Sequence, residues 1–409
     1  MKVLFIHQVF VTTAEPGGTR HFEFGRYLIT QGDSFTVIAS PVNYLTGKRT
    51  HPEQHAPRYQ EQIEGIKITR AYTPQMLHKN FLTRLLTHWV FALVAAWEGL
   101  RTPQIDLVIG TTPPFFQPLS AWIVARLRRK PLLLEVRDLW PEFAIDMGVL
   151  RNRLIIFLAR RLERFFYCTA DHLLVNSPAY QDYLIHKGIP PEKISLIPSG
   201  TDTTMFTPDQ DGSAIRARYG LEGKFVIVYT GALGLANDLD LALQAADQLR
   251  GYAHIHFLLV GDGKERARLE AESVRMGLTN VTFTGALLKR DMPAVLAAAD
   301  LGLVTLLPIK MFTTTYPNKV FDYMAAGIPT LLAVDGVIRQ VIDASESGIF
   351  VTPGDSIGLS KAILRLCDDY QLRTQLGQNA RAYVVKHFDR QTQAKAFYAL
   401  CHTMTTAAK

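Results

Sequence analysis

In the stretch Thr313 to Val334, "TTTYPNKVFDYMAAGIPTLLAV", three hydroxyls lead through a Tyr-Pro-Asn-Lys corner into a short amphipathic helix. The helix breaks at Gly327 and Pro329 and runs straight into an apolar strand. Lys319 falls in the first helical turn, where a cation opposes the helix dipole. Asp322, three residues on, projects from nearly the same face. A lysine beside free helix amides suits a diphosphate, and a neighbouring carboxylate suits ribose hydroxyls. The ordinary alternative is an exposed Lys319–Asp322 pair that contributes little. Pro317, Asn318 and the adjacent hydroxyls, Thr314 among them, weigh toward the anion site.

Glycine-bearing turns follow several apolar runs. "EPGGTRHFEFGRYL" sets Gly17 and Gly18 before Thr19 and a helix stopped by Gly32. Backbone amides approached through glycines form an anion site, although a turn with an N-cap explains the same residues. Arg20 in the first turn again opposes the dipole, which is easier to understand if an anion binds there. In the second half, Gly231 and Gly234 follow "FVIVYT", Gly261 and Gly263 follow "HFLLV", and "FTG" (Phe283 to Gly285) ends a third run. Three such turns on one sheet edge imply close approach of a ligand to the backbone. After "PLLLEV" come Arg137 and Asp138, with Asp138 a candidate either for chemistry or for capping the helix that "LWPEF" begins.

The elements that must hold these residues are short β-branched runs alternating with helical patterns. They are "KVLFI", "SFTVIAS", "IKITRAY", "DLVIGTT", "PLLLEV", "HLLVNS" and "KISLIPSG", then "FVIVYTG", "HIHFLLVGDG", "NVTFTGA", "LGLVTLL", "PTLLAV" and "GIFVTP". Most are continuously apolar, as strands buried on both faces are, and their alternation with helices implies doubly wound parallel α/β sheets. So many strands exceed one ordinary sheet, which predicts two domains dividing within Leu196 to Ile215, a Pro-, Gly-, Thr- and Asp-rich segment. Ligands of such sheets sit beyond the carboxyl ends of the strands.

The length of 409 residues also fits two domains, and 48% hydrophobic with 20% charged residues is a globular composition. The net charge of +7 suits phosphate-bearing ligands or an anionic surface without selecting either. Cys168, Cys367 and Cys401 are far apart, with neither metal spacing nor a disulfide framework. The apolar start is cut by His7 and Gln8 too early for a signal-peptide core, and "WVFALVAAW" is far short of the roughly 20 residues a membrane crossing needs. A cytoplasmic chain is expected.

"PNKVFDYMAAGIPTLLAV", "EPGGTRHFEFGRYL", "LEVRDLWPE" and "YTGALG" together resemble the retaining glycosyltransferases of family 4, in particular bacterial O-antigen, capsule, colanic-acid and fucosamine-transferase-like enzymes. The resemblance implies a GT-B fold, two Rossmann-like domains facing across a cleft. It assigns residues 1–200 to an acceptor-binding domain, 201–388 to a nucleotide-sugar-binding domain, and 389–409 to a helix that packs back on the first. It implies a nucleotide diphosphate sugar, such as a UDP sugar, as co-substrate, with no cofactor and no essential metal. Asp322 takes the place of the second acid of a Glu-x7-Glu pattern and would hold the ribose. Gly17 and Gly18 match glycines that approach the diphosphate, and Lys319 would neutralise it. Phe283 to Gly285 lie where backbone meets the base, and Asp138 where relatives place a histidine or aspartate facing the reacting sugar. The acceptor would be a glycan or a polyprenyl-diphosphate-linked sugar, with His7 and Gln8 on its side; a histidine there is equally an ordinary core residue.

Departures are plain as well. The first acid of the pattern falls at Thr314, and Leu233 and Asn237 stand where an Arg and a Lys are common. Stabilising the leaving group then rests on Lys319, helix amides and Arg137 or Arg20. Two segments of the first half, His78 to Arg101 and Arg151 to Tyr167, mix apolar stripes with basic residues. They read either as a peripheral membrane surface at the inner face of the plasma membrane or as core-facing helices with solvated arginines. Rival functions are a nucleotide-sugar 2-epimerase of the same architecture and a silent partner subunit, the latter favoured by Thr314. Nucleic-acid binding has no support, because the basic residues are scattered.

Overall fold

The computed structural model describes residues 1–44, 47–49, 58–76 and 81–407. They form two compact units, one of Met1–Thr12, Thr19–Pro198 and Gln391–Lys409, the other of Thr13–Gly18 and Ser199–Arg390. The division after Pro198 falls inside the Pro- and Gly-rich segment that follows the last strand of the first half.

The first unit holds β1 (Lys2–Ile6), β2 (Ser34–Ala39), β3 (Tyr59–Ile63), β4 (Ile66–Arg70), β5 (Leu107–Thr112), β6 (Leu132–Val136), β7 (His172–Val175) and β8 (Ile194–Leu196). Their order is β3-β4-β2-β1-β5-β6-β7-β8, all parallel except β3, which pairs antiparallel with β4. The apolar-run criterion misses β3 because "YQEQI" is a polar edge strand. What makes it is the tight corner at Glu64 and Gly65, both at positive φ, which is the geometry of a two-residue hairpin. The central strands are buried along nearly their whole length, since helices cover both faces. The Arg20–Thr30 helix lays Phe24 and Leu28 against Phe5 and Phe35, and Phe397 of the Arg390–Ala407 helix stacks on Phe24 at 4.6 Å. Gly25 is required there, because a Cβ would meet the Phe35 ring at 2.6 Å. The crossovers β4 to β5, β5 to β6 and β6 to β7 all advance the same way across the sheet. Right-handed crossovers therefore place the Phe81–Arg101, Gln117–Arg128 and Arg153–Thr169 helices together on the opposite face.

The second unit holds β9 (Phe225–Thr230), β10 (Ile255–Val260), β11 (Val281–Gly285), β12 (Leu301–Thr305), β13 (Thr330–Ala333) and β14 (Gly348–Phe350), in the order β11-β10-β9-β12-β13-β14 and wholly parallel. One apolar cluster packs on each side of this sheet. The Asn318–Ala325 helix is pinned by Tyr323, whose buried hydroxyl receives the Thr230 amide at 2.9 Å. No helix among the described residues is long and apolar enough to cross a membrane.

Candidate functional site

In the second unit, the carboxyl ends of the neighbouring strands β9, β10 and β11 deliver Gly231, Gly261 with Gly263, and Gly285. The loop after β12 delivers the start of the Asn318–Ala325 helix. Pro317 is the N-cap of that helix and no side chain caps it, so its first amides are left without a side-chain acceptor. Lys319 reaches back from this turn to lie over the Tyr229 ring, its Nζ 3.6 Å from the centroid. Its nitrogen is buried and finds no hydrogen-bond partner among the described residues. Burial pulls the amine well below the usual lysine range. A Cβ on Gly231 would sit 3.3 Å from this nitrogen, so the glycine keeps the space beside the amine open.

The exposed Lys319–Asp322 pair, the ordinary alternative, does not form among the described residues. Asp322 instead accepts from Lys289 at 2.8 Å and from the Thr201 hydroxyl at 2.6 Å, and Lys289 also lies 4.5 Å from the Phe206 ring centroid. The hydroxyls of Thr313, Thr314 and Thr315 each donate to the carbonyl three residues back, in and just after the tight turn Lys310–Thr314. They shape that turn, which is the usual local use of threonine. Gly261 and Gly263 are demanded by the fold. Side chains there would collide with the carbonyl oxygens of Gly231 and Leu233. Gly285 at φ +77 faces Arg266, and Gly234 is only loosely contacted, by Asn237. The close approach inferred for these turns is thus largely backbone on backbone. Phe283 lies in the edge strand β11, paired on one side with Leu259.

In the first unit, β1, β5 and β6 are neighbours, and their carboxyl ends bring His7, Thr111 and Arg137 together. The Arg137 guanidinium donates to the Thr111 hydroxyl at 2.9 Å, to His7 Nε2 at 3.0 Å and to the Pro113 carbonyl at 3.4 Å. Arginine is only a donor, so His7 accepts at Nε2 and carries its proton on Nδ1. Burial, then Arg137, hold its imidazole well below the ordinary range, and its Nδ1 has no partner among the described residues. Asp138 follows directly. Burial raises its carboxyl to about 6 against the opposing pull of Arg137. The capping alternative fails, because Pro141 occupies the N-cap of the Glu142–Asp146 helix and no side chain caps it. Gln8 is held in place, its amide donating to Gln117 and its side chain meeting His88 Nδ1 at 2.9 Å.

Arg20 has its anion, but the protein supplies it. The guanidinium donates to Glu135 at 3.0 Å and to the carbonyls of Ile197 and Pro198 at 2.7 Å each, while His21 shares the other Glu135 oxygen. Burial alone would raise Glu135; His21 and Arg20 outweigh it and hold the carboxyl below its usual range. Glu135 escaped the sequence reading, although an acid inside the apolar run "PLLLEV" signals a buried counter-charge. Lys289, the partner of Asp322, carried no comparable signal. Thr19 begins the Arg20–Thr30 helix without capping it, its hydroxyl bonded to Glu23. Gly17 has φ +141, and a Cβ on Gly18 would meet nothing within 4 Å.

Residues 17–200 match the model of a Glycosyl transferase 4-like domain, and residues 224–369 match that of Glycosyl transferases group 1. Over 315 residues the chain is 27% identical to WcaI of Escherichia coli K12, provisionally named a colanic acid biosynthesis glycosyl transferase, covering 75% of this chain and 76% of that one. It is 25% identical over 296 residues to a GDP-mannose-dependent alpha-mannosyltransferase of Mycobacterium tuberculosis, covering 71% of each. Among solved structures, sucrose-phosphate synthase from Thermosynechococcus elongatus aligns with a TM-score of 0.79 over 99% of both chains at 19% identity. The Anabaena protein HepE in complex with UDP-glucose aligns at 0.73 over 98% of this chain and 100% of that one, at 21% identity. At these identities the structural likeness speaks to the fold.

Proposed function

From the premise that this chain joins a glycosyl transferase 4-like domain to a group 1 glycosyl transferase domain in a GT-B fold, we propose that it moves a sugar from a nucleotide diphosphate sugar to a glycan or polyprenyl-diphosphate-linked acceptor. The anomeric configuration is retained, no metal is needed, and the product is cell-surface polysaccharide made on the cytoplasmic side.

The observation that carries this reading is Lys319, a buried amine with neither counter-ion nor hydrogen-bond acceptor among the described residues. A buried cation is costly unless paired. Docking a diphosphate beside it supplies the missing partner and returns the amine to its charged form. Breaking the anomeric bond places positive charge on the sugar and negative charge on the diphosphate. Lys319 and the uncapped amides at Asn318 and Lys319 are fixed where that negative charge grows, and preorganised donors of this kind give the largest catalytic effect. Asp322, oriented by Thr201 and Lys289, keeps lone pairs for the ribose hydroxyls. The unpaired side of β11 at Phe283 to Gly285 offers backbone groups to the base, which we take to be uracil. Asp138, ionised at neutral pH, balances the cationic sugar or orients the acceptor, and Arg137 stands beside it. The leaving phosphate takes the acceptor proton on the same face, which preserves configuration.

A panel of UDP, GDP and dTDP sugars read by thermal shift, followed by nucleoside diphosphate release with a lipid-linked acceptor, tests the reading. One donor class should raise the melting temperature by mass action. Its diphosphate should be released only with acceptor, unaffected by EDTA, and the product's anomeric proton should show retention. Donor epimerised without acceptor, or no donor bound at all, overturns it.

A further inference from the structure

The Phe81–Arg101 and Arg153–Thr169 helices settle the choice between core-facing and outward stripes. His78 to Asn80, which open the first of these stretches, lie outside the described residues. On the first helix, Leu82, Leu86, Leu93 and Trp97 recur at helical spacing and point to solvent, with Leu82 74%, Leu93 61% and Trp97 58% exposed, while Trp89 between them stacks on Phe116. The core is met by the other side, through Phe91, Ala92 and Ala95. On the second helix, Leu154, Phe157, Leu158 and Arg161 form a similar outward stripe, with Leu154 66% and Phe157 53% exposed, while Glu163, Phe166 and Tyr167 face inward. An amphipathic helix normally turns its apolar stripe to the core. Here each helix carries a second apolar stripe on its water side. The Gln117–Arg128 helix packs between the two and adds exposed Leu127, so the three outward faces belong to one layer.

Charge selects the occupant. Arg101, Arg128, Arg153, Arg161 and Arg164 lie on these helices, with Arg160 held by Glu142 and Arg126 beside Asp171, whereas the helices' own acids, Glu98 and Glu163, are both buried. Arg101 lies over the Trp97 ring at 5.0 Å and Arg161 over the Phe157 ring at 5.1 Å, so cation and apolar surface are interleaved. Trp and Leu flanked by arginines match the headgroup boundary of a bilayer, where rings and methyls enter the acyl edge and guanidinium groups meet phosphate. We propose that this face of the first unit docks on an anionic lipid bilayer. From Leu82 to Trp97 the stripe runs about 22 Å at 1.5 Å per residue, enough to lie along the surface without entering as a span. Docking would bring the chain to a lipid-linked acceptor, and in that respect it rests on the function proposed above. Vesicle binding itself requires no activity, so the two readings can fail separately.

The experiment is co-sedimentation of the full chain with vesicles of phosphatidylcholine alone or with about a third phosphatidylglycerol. Leu93→Ser/Trp97→Ser, Phe157→Ser/Leu158→Ser and Arg161→Glu/Arg164→Glu variants are compared with a Val274→Ser control, another exposed apolar residue. Circular dichroism melts confirm folding, and at least one of the three surface variants must melt like the parent. The parent and control should sediment with anionic vesicles, at least tenfold more than with neutral ones and less at high salt, while the folded surface variants lose most of this binding. Transfer to a water-soluble acceptor should persist in those variants. Absence of sedimentation with anionic vesicles, binding unchanged in the folded variants, or a parent dimer that they convert to monomer would overturn the proposal.

Discussion

The strand ends of the two units handle buried charge in opposite ways. In the first, Glu135 and Arg137 have internal partners: Glu135 is shared by Arg20 and His21, and Arg137 is distributed over Thr111, His7 and Pro113, while the neighbouring Asp138 has only the pull of Arg137 against its burial. In the second, Lys319 is buried with an aromatic face beneath it and no acceptor among the described residues. A satisfied network makes a rigid scaffold, while an unsatisfied cation is an affinity waiting for its anion. The contrast marks Lys319 as the charge whose partner the ligand supplies.

The largest test of that contrast is Glu135→Gln. It strands the Arg20 guanidinium, and chemical denaturation should show a loss of about 3–5 kcal/mol. Lys319→Met is the mirror experiment. Removing an uncompensated amine should leave the ligand-free protein as stable as before or more so, while sugar transfer falls about 10²–10³-fold and the donor-induced thermal shift disappears. If ligand-free stability instead drops sharply, Lys319 belongs to the scaffold and the contrast is broken. Its depressed amine also gives a sign. The folded state binds fewer protons than the unfolded one below the ordinary lysine value, so this residue's contribution to stability should improve as pH rises toward that value and be absent in Lys319→Met.

Asp138→Asn should lower turnover about 10²-fold with little change in donor affinity. The parent's rate should decline below pH about 6 as this carboxyl protonates. Stability should move the other way. A carboxyl raised above its unfolded value costs stability above about 6, and that cost is relieved as pH falls toward the unfolded value. A pH profile without that inflection separates Asp138 from the reaction. Lys289→Met should be milder, releasing Asp322 and raising the donor KM by about tenfold, equivalent to about 1.4 kcal/mol, while kcat holds. Smallest of all is Gly18→Ala. With open space around the position, its stability should change by less than about 0.5 kcal/mol. A loss of donor binding from so harmless a change would identify backbone approach by the ligand at this turn.

Much of the scaffold was legible because a parallel sheet covered on both faces writes itself as apolar runs. "KVLFI", "DLVIGTT" and "FVIVYTG" each became strands, and the Pro- and Gly-rich segment after "KISLI" contains the division between units. β3 was not legible, because a polar edge strand has no such run. At the site, the residue types were readable and their partners were not. Arg20 looked like a cation awaiting an anion until the fold brought Glu135 to it across 115 residues. Lys319 and Asp322 looked like one cluster until the helix turned them to different partners.

The two-sheet α/β framework and the loops in which charges gather follow from the local pattern of the chain, since periodicity and turn residues act over short distances. The tertiary structure alone decided which charges are compensated, which glycines are needed by neighbouring backbone, and which apolar stripes face water. Compensation and burial depend on what lies within a few ångströms in space: at Glu135 and Lys289 those neighbours come from elsewhere in the chain, and at Trp97 they are Arg101 of the same helix and solvent.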